Sequence, residues 1–202
     1  MKTIFTILAV TIATTFAVEI QPIEQDAAAK IARLILSQYG APTDAPFVNE
    51  LDTEKVAGIK GGEAGLIVIP DKKLTPELLA AVTDKPTAIG QLWMHKVVPA
   101  INGVAADSAK LRTVKVAGDD GSKSVEVYYL SVSKSAAGTL DLALTSAGKE
   151  SLLKVPLVKT DATASAVPVA VAARKDGENG GVLALSVFGN YKADISITKA
   201  GE

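Results

Sequence analysis

The sequence predicts a mainly β protein: an antiparallel β-sandwich of about nine strands with an N-terminal helix and one short inserted helix. Three observations carry this reading. From about Lys55 onward, hydrophobicity alternates with a period of two in short runs rich in Val, Leu and Ile. The runs are separated by "GDDGSK", "KSAAG" and "KDGENGG", clusters of Gly, Asp, Asn and Ser that supply positive φ or local side-chain caps. Only one stretch, near the N-terminus, has the length and period of a long helix.

The opening "MKTIFTILAVTIATTFAVEIQP" carries one positive charge, at Lys2, and then an unbroken apolar and hydroxyl run over 3–18. That is the layout of a secretory signal peptide, with small residues at Thr15 and Ala17 placing cleavage after Ala17. The run falls short of the roughly 20 apolar residues of a membrane-spanning helix. The expected location is therefore secreted or periplasmic, with membrane attachment only through an uncleaved signal segment.

Next comes "IEQDAAAKIARLILSQYG", read as a helix over 23–39. Ile23, Ala27, Ile31, Leu34 and Ile35 fall on one stripe, and Asp26, Lys30 and Arg33 on another. Gly40 can take a left-handed cap and Pro42 forbids continuation. The prolines of "GAPTDAPFVNELDTEKVAG" mark a connector. The expected organisation is a signal over 1–17, helix and connector over 18–54, and a sandwich domain over 55–202.

Within that domain the candidate strands are 65–69, 88–98, 111–117, 124–133, 139–145, 152–158, 167–173, 182–188 and 191–198. Short connectors imply antiparallel neighbours. The stretch "LTPELLAAVTD" is the inserted helix, with Thr75 as cap and Pro76 at the first helical position. Parity fixes the last hairpin further. A two-residue turn at Gly189-Asn190 pairs Phe188 with Tyr191 and mixes apolar with polar on one face. The slipped register matches Val187 with Ala193, Leu185 with Ile195 and Leu183 with Ile197, giving an apolar face. Pro156 and Pro168 each remove a ladder donor, which assigns their strands to sheet margins and favours a sandwich over a closed barrel.

Composition excludes several function classes. Cysteine is absent, which rules out disulfides, thiolate metal sites and a cysteine nucleophile. Bases (21) and acids (22) nearly balance, and the only arginines are Arg33, Arg112 and Arg174, so no basic cluster for nucleic acid is visible. The glycine run "GIKGGEAG" precedes a strand and lacks the Gly-Lys-Ser/Thr ending of a phosphate loop. Neither "DDG" at 119–121 nor "DGENGG" at 176–181 has the length or pattern of a calcium loop. The lone His95 lacks partners for a zinc site, and no serine sits in a G-x-S-x-G elbow.

One segment concentrates rare residues. "QLWMHKVVPAING" holds the only tryptophan, Trp93, the only histidine, His95, and Met94 between them. As a strand it sends Trp93 and His95 to one face and Leu92 and Met94 to the other. Trp93 and His95 are candidate binding residues, a platform for a sugar or peptide; the competing reading makes Trp93 the largest core residue with His95 hydrogen-bonded beside it. A carbohydrate face usually wants more aromatics than this chain supplies. The expected function is an exported, non-catalytic structural or protein-interaction module. It needs no metal or cofactor, and it meets a protein or cell-envelope partner through strand edges or the helix's apolar stripe. The alternatives are a binder of sugars or small apolar molecules, and a hydrolase with spatially assembled carboxylates.

Overall fold

The computed structural model describes residues 19–39, 44–118, 121–177 and 180–201. The signal segment over 1–17, its cleavage point after Ala17, the Gly40 cap, Pro42, Asp119 and part of the 176–181 turn lie outside the described residues.

In chain order the elements are β1 (Gln21–Pro22), α1 (Gln25–Gln38), β2 (Ala57–Gly61), β3 (Ala64–Pro70), α2 (Pro76–Ala80), β4 (Thr87–His95), β5 (Val97–Ile101) and β6 (Val104–Ala105). After a single turn of tighter helix at Ser108–Lys110 follow β7 (Arg112–Gly118), β8 (Gly121–Lys134), β9 (Leu140–Thr145), β10 (Leu153–Lys159), β11 (Val169–Asp176), β12 (Gly180–Val187) and β13 (Tyr191–Lys199). The fold is mainly β, an antiparallel sheet curled on itself into a sandwich-like form, with two α-helices among the described residues, one of them short.

Spatial order runs β1-β2-β3-β4-β8-β9-β10 across one wall and β13-β12-β11 across the other. The walls join at two corners. At the first, β10 pairs with β9 over Leu153 to Leu157 and with β13 through Val158 and Lys159. At the second, β4 ends at His95, Lys96 takes a φ of 61°, and the chain crosses as β5 to pair with β13. Sheets packed face to face turn corners through such strand-switching bends. The expected single strand 88–98 is therefore two strands, and Pro99 lies inside the second, opposite Ile197.

β8 is long enough to carry β4 on one side and, end to end on the other, β7 and β9. The junction is closed by buried Ser146, whose hydroxyl accepts from the Arg112 N–H (2.8 Å) and donates to the Val127 carbonyl (2.8 Å).

The two proline strands differ: β11 is a sheet margin, whereas β10 joins β9 to β13 and is not one. β11, which Pro168 precedes, pairs with β12 alone, and Pro156 falls in the part of β10 paired on one side only. The last hairpin avoids the Phe188–Tyr191 pairing, but its pairs differ from the expected ones by two residues. A three-residue loop, with Phe188 at φ 48°, sets Val187 opposite Tyr191, Leu185 opposite Ala193 and Leu183 opposite Ile195. Parity is conserved by this shift, so Leu183, Leu185, Val187, Ala193 and Ile195 all stay on the buried face.

The main core fills the space inside the curl, with Leu92, Met94, Tyr128, Leu130, Leu142, Leu144, Leu183 and Ile195 fully buried. α2 closes one end. The Thr75 hydroxyl accepts from the Leu78 N–H (3.1 Å), which caps the helix as its Thr-Pro start predicts and sets Leu79 into the core. A second, smaller core lies outside the curl, where α1 packs on β2, β3 and β7.

Candidate functional site

The docking of α1 creates the site. Its buried face is Ala28, Ala29, Ala32 and Ile35, which corrects the expected stripe: Ile31 and Leu34 stay 38% and 41% exposed. Alanine explains the rotation, because side chains without reach let the helix axis approach the sheet closely, while bulkier Ile31 and Leu34 are displaced to the flank. Ile23 fixes the entry, its N–H donating to the Gly58 carbonyl (2.8 Å) and its side chain lying over Gly58. The exit is fixed by Gln38, whose amide bonds both backbone groups of Ala117.

Beneath the helix, Trp93 is 1% exposed, and its indole N–H donates to Gln91 Oε1 (3.1 Å). Tyr39 meets it edge-on, with ring centroids 4.9 Å apart and planes at 89°. The Tyr39 hydroxyl shares a 2.7 Å hydrogen bond with that of Tyr129. Burial and that hydrogen bond push the Tyr39 phenol above its ordinary value of 10.0. Leu92 and Met94 face the main core, so both faces of β4 are covered, one by the interior of the curl and one by α1.

His95 sits at the strand end. Its Nδ1 donates to the Ser124 carbonyl (2.8 Å). Glu126, two residues on from Ser124 and half-buried, has its carboxyl held above the ordinary value of 4.5 by desolvation, an effect that nearby His95 partly offsets.

Between the exposed flank of α1 and the sheet runs an open groove of about 310 Å³. Ile31 and Leu34 form one wall, and Ile67, Trp93, Val116 and Val125 supply floor and opposite wall. Its lining is apolar except for His95 and Lys123. The structure thus brings Trp93 and His95 to one groove, the first as part of its floor. Sequence reasoning missed Ile67, Val116 and Val125 as groove residues. Their alternation marks them as strand residues, but nothing local reports that a helix crosses above them.

A second, smaller cavity of about 190 Å³ opens where β2 and β3 approach β11, β12 and β13. Neither depression is lined by a carboxylate. Among the described residues no group of three or more His, Asp or Glu is placed to hold a metal ion, and no helix is long and apolar enough to cross a membrane. No family model matches the chain, and neither the curated proteins nor the solved structures offer a match to it.

Proposed function

We propose that the protein is an exported, non-catalytic interaction module that seats a protein or cell-envelope partner along the groove between α1 and the sheet. The observation that carries this reading is the exposure of Ile31 and Leu34 above an apolar floor. Isolated apolar residues on a surface need no explanation, but a row of them continuous with an apolar groove is the form of a partner site. Export rests on the charged, apolar and small-residue order of 1–17. The hydrolase alternative draws no support from either depression, because catalysis by paired carboxylates needs both at one cleft.

The test has two arms. Mass spectrometry of the protein from the extracytoplasmic fraction should give a mature N-terminus at Val18, and recovery of the intact chain from the cytoplasm alone would refute export. Ile31→Glu with Leu34→Glu should leave the unfolding midpoint near that of the wild type while abolishing recovery of the partner that co-purifies with it. Retention of that partner by the double variant would refute the groove.

A further inference from the structure

We propose that the seam between β2–β3 and β11–β13 is a second site, which binds a short-chain amphiphilic anion, specifically a free fatty carboxylate. It opens on the inward face of β2 and β3, whereas the groove lies on their outward face, and the inference stands apart from the groove reading.

The seam exists because the curl does not close there by strand pairing. β11 lies against β2 and β3 without a ladder between them. Gly61, Gly65, Gly180 and Gly181 line the gap and leave it unfilled by side chains. Its apolar part includes Ile20, Ile59, Leu66, Val97 and Ile197. At about 190 Å³ it is smaller than the roughly 300 Å³ at which pockets for drug-sized ligands begin, which suits a short chain rather than a bulky ring system.

Charge identifies the head group. The chain has 21 bases and 22 acids, yet the seam is lined by Lys60, Arg174, Lys175 and Lys199 and by no acid. Strand alternation puts Lys175 on the side of Ala173 and Lys199 on that of Ile197, both of which pack against the main core. Among the described residues none of the four cations forms an ion pair, while Arg33, Arg112 and Lys96 are paired to Glu54, Asp44 and Glu63. Of the acids adjacent in sequence, Glu63 is thus taken by Lys96, Glu19 accepts from Gln21, and Asp176 is exposed at the end of β11. An apolar slot under unpaired cations favours a tail with an anionic head, the tail desolvated between the two walls and the head held by Lys175 and Lys199.

Octanoate titrated calorimetrically into the purified full chain tests this. Saturable binding at one site is expected, with no binding of acetate, which lacks the tail, and none of octyltrimethylammonium, which reverses the head. Lys175→Glu with Lys199→Glu should weaken octanoate about ten-fold, Lys175→Gln with Lys199→Gln by less, and Lys192→Glu, outside the seam, not at all. These lysines are exposed, so the variants should unfold at the wild-type midpoint. Absence of saturable octanoate binding would overturn the proposal, as would binding unaffected by the double reversal or equal binding of the cationic amphiphile. Co-sedimentation with anionic phospholipid vesicles in the absence of octanoate binding would assign the cations to a membrane surface instead and would equally overturn it.

Discussion

The side-chain amide of Gln38 bonds both backbone groups of Ala117, donating to its carbonyl (2.9 Å) and accepting from its N–H (2.8 Å). Ala117 belongs to β7, whose only strand partner among the described residues is β8, so its outward backbone groups would otherwise offer an edge to another chain. The helix end thus supplies what a further strand would, and the same contact holds α1 over the groove. Gln38→Ala should cost about 1–2 kcal/mol, two partly exposed hydrogen bonds at the usual net value. Hydrogen exchange should show the Ala117 amide losing protection while those of β4 keep theirs. Unchanged protection at Ala117 would mean that the clasp is not held in solution.

Trp93 and His95 should separate sharply on substitution. Trp93→Ala removes a buried indole from under α1 together with its edge contact to Tyr39, with an expected loss of about 3–5 kcal/mol in chemical denaturation. His95→Ala removes one hydrogen bond at a strand end and should cost about 1 kcal/mol. Equal losses would contradict the placement of Trp93 as the floor of the second core.

That pair shows what was legible in the sequence. Period-two alternation located the cores of β3, β7 to β13 and the start of β4, and the Thr-Pro start located α2. The missing elements have physical causes. β2 reads as a glycine-rich turn, but Gly58 is required because a Cβ there would lie 2.9 Å from Ile67 Cγ2 and 3.1 Å from Ile23 Cδ1. The break between β4 and β5 depends on a lysine, Lys96, in a left-handed conformation that no local residue pattern announces. For the groove, Trp93 and His95 stand out in the sequence by their rarity. The rotation of α1 onto its alanines, which exposes Ile31 and Leu34, is a tertiary effect of how closely the helix meets the sheet.

Gly90, the one glycine of β4, should resist replacement. Its φ is 148°, it ends the bulge that begins at Ala88, and a Cβ there would sit 2.4 Å from the Ile69 carbonyl oxygen. Gly90→Ala is expected to cost more than about 2 kcal/mol, the backbone strain adding to a clash that backbone atoms cannot relieve. Gly103→Ala makes the control, because no atom lies within 4 Å of its Cβ position although its φ of 79° is also positive. A midpoint for Gly90→Ala equal to that of the control would refute the bulge geometry.

Glu126 sets a pH dependence with a definite sign. An acid whose native pKa lies above its unfolded value keeps its proton longer in the native state. Stability is then reduced as pH rises through the unfolded value toward the native one, and stays reduced above it. Glu126→Gln should therefore be more stable than the wild type at neutral pH, and that advantage should vanish below about pH 4, where both states are protonated. Urea midpoints of both proteins across this range measure it. A variant less stable than the wild type at neutral pH would show that the carboxylate has a compensating partner.

The groove is the central claim, and site-specific crosslinking in the native host tests it most directly. Benzoyl-phenylalanine placed at Leu34 faces the groove, whereas the same group at exposed Arg33, about 100° further round the helix and absent from the groove lining, points away from it. The account predicts a discrete protein or envelope adduct from Leu34, absent from Arg33 and lost when Ile31→Glu is added. Equal adducts from the two positions, or none from Leu34 in exported protein of native stability, would contradict it.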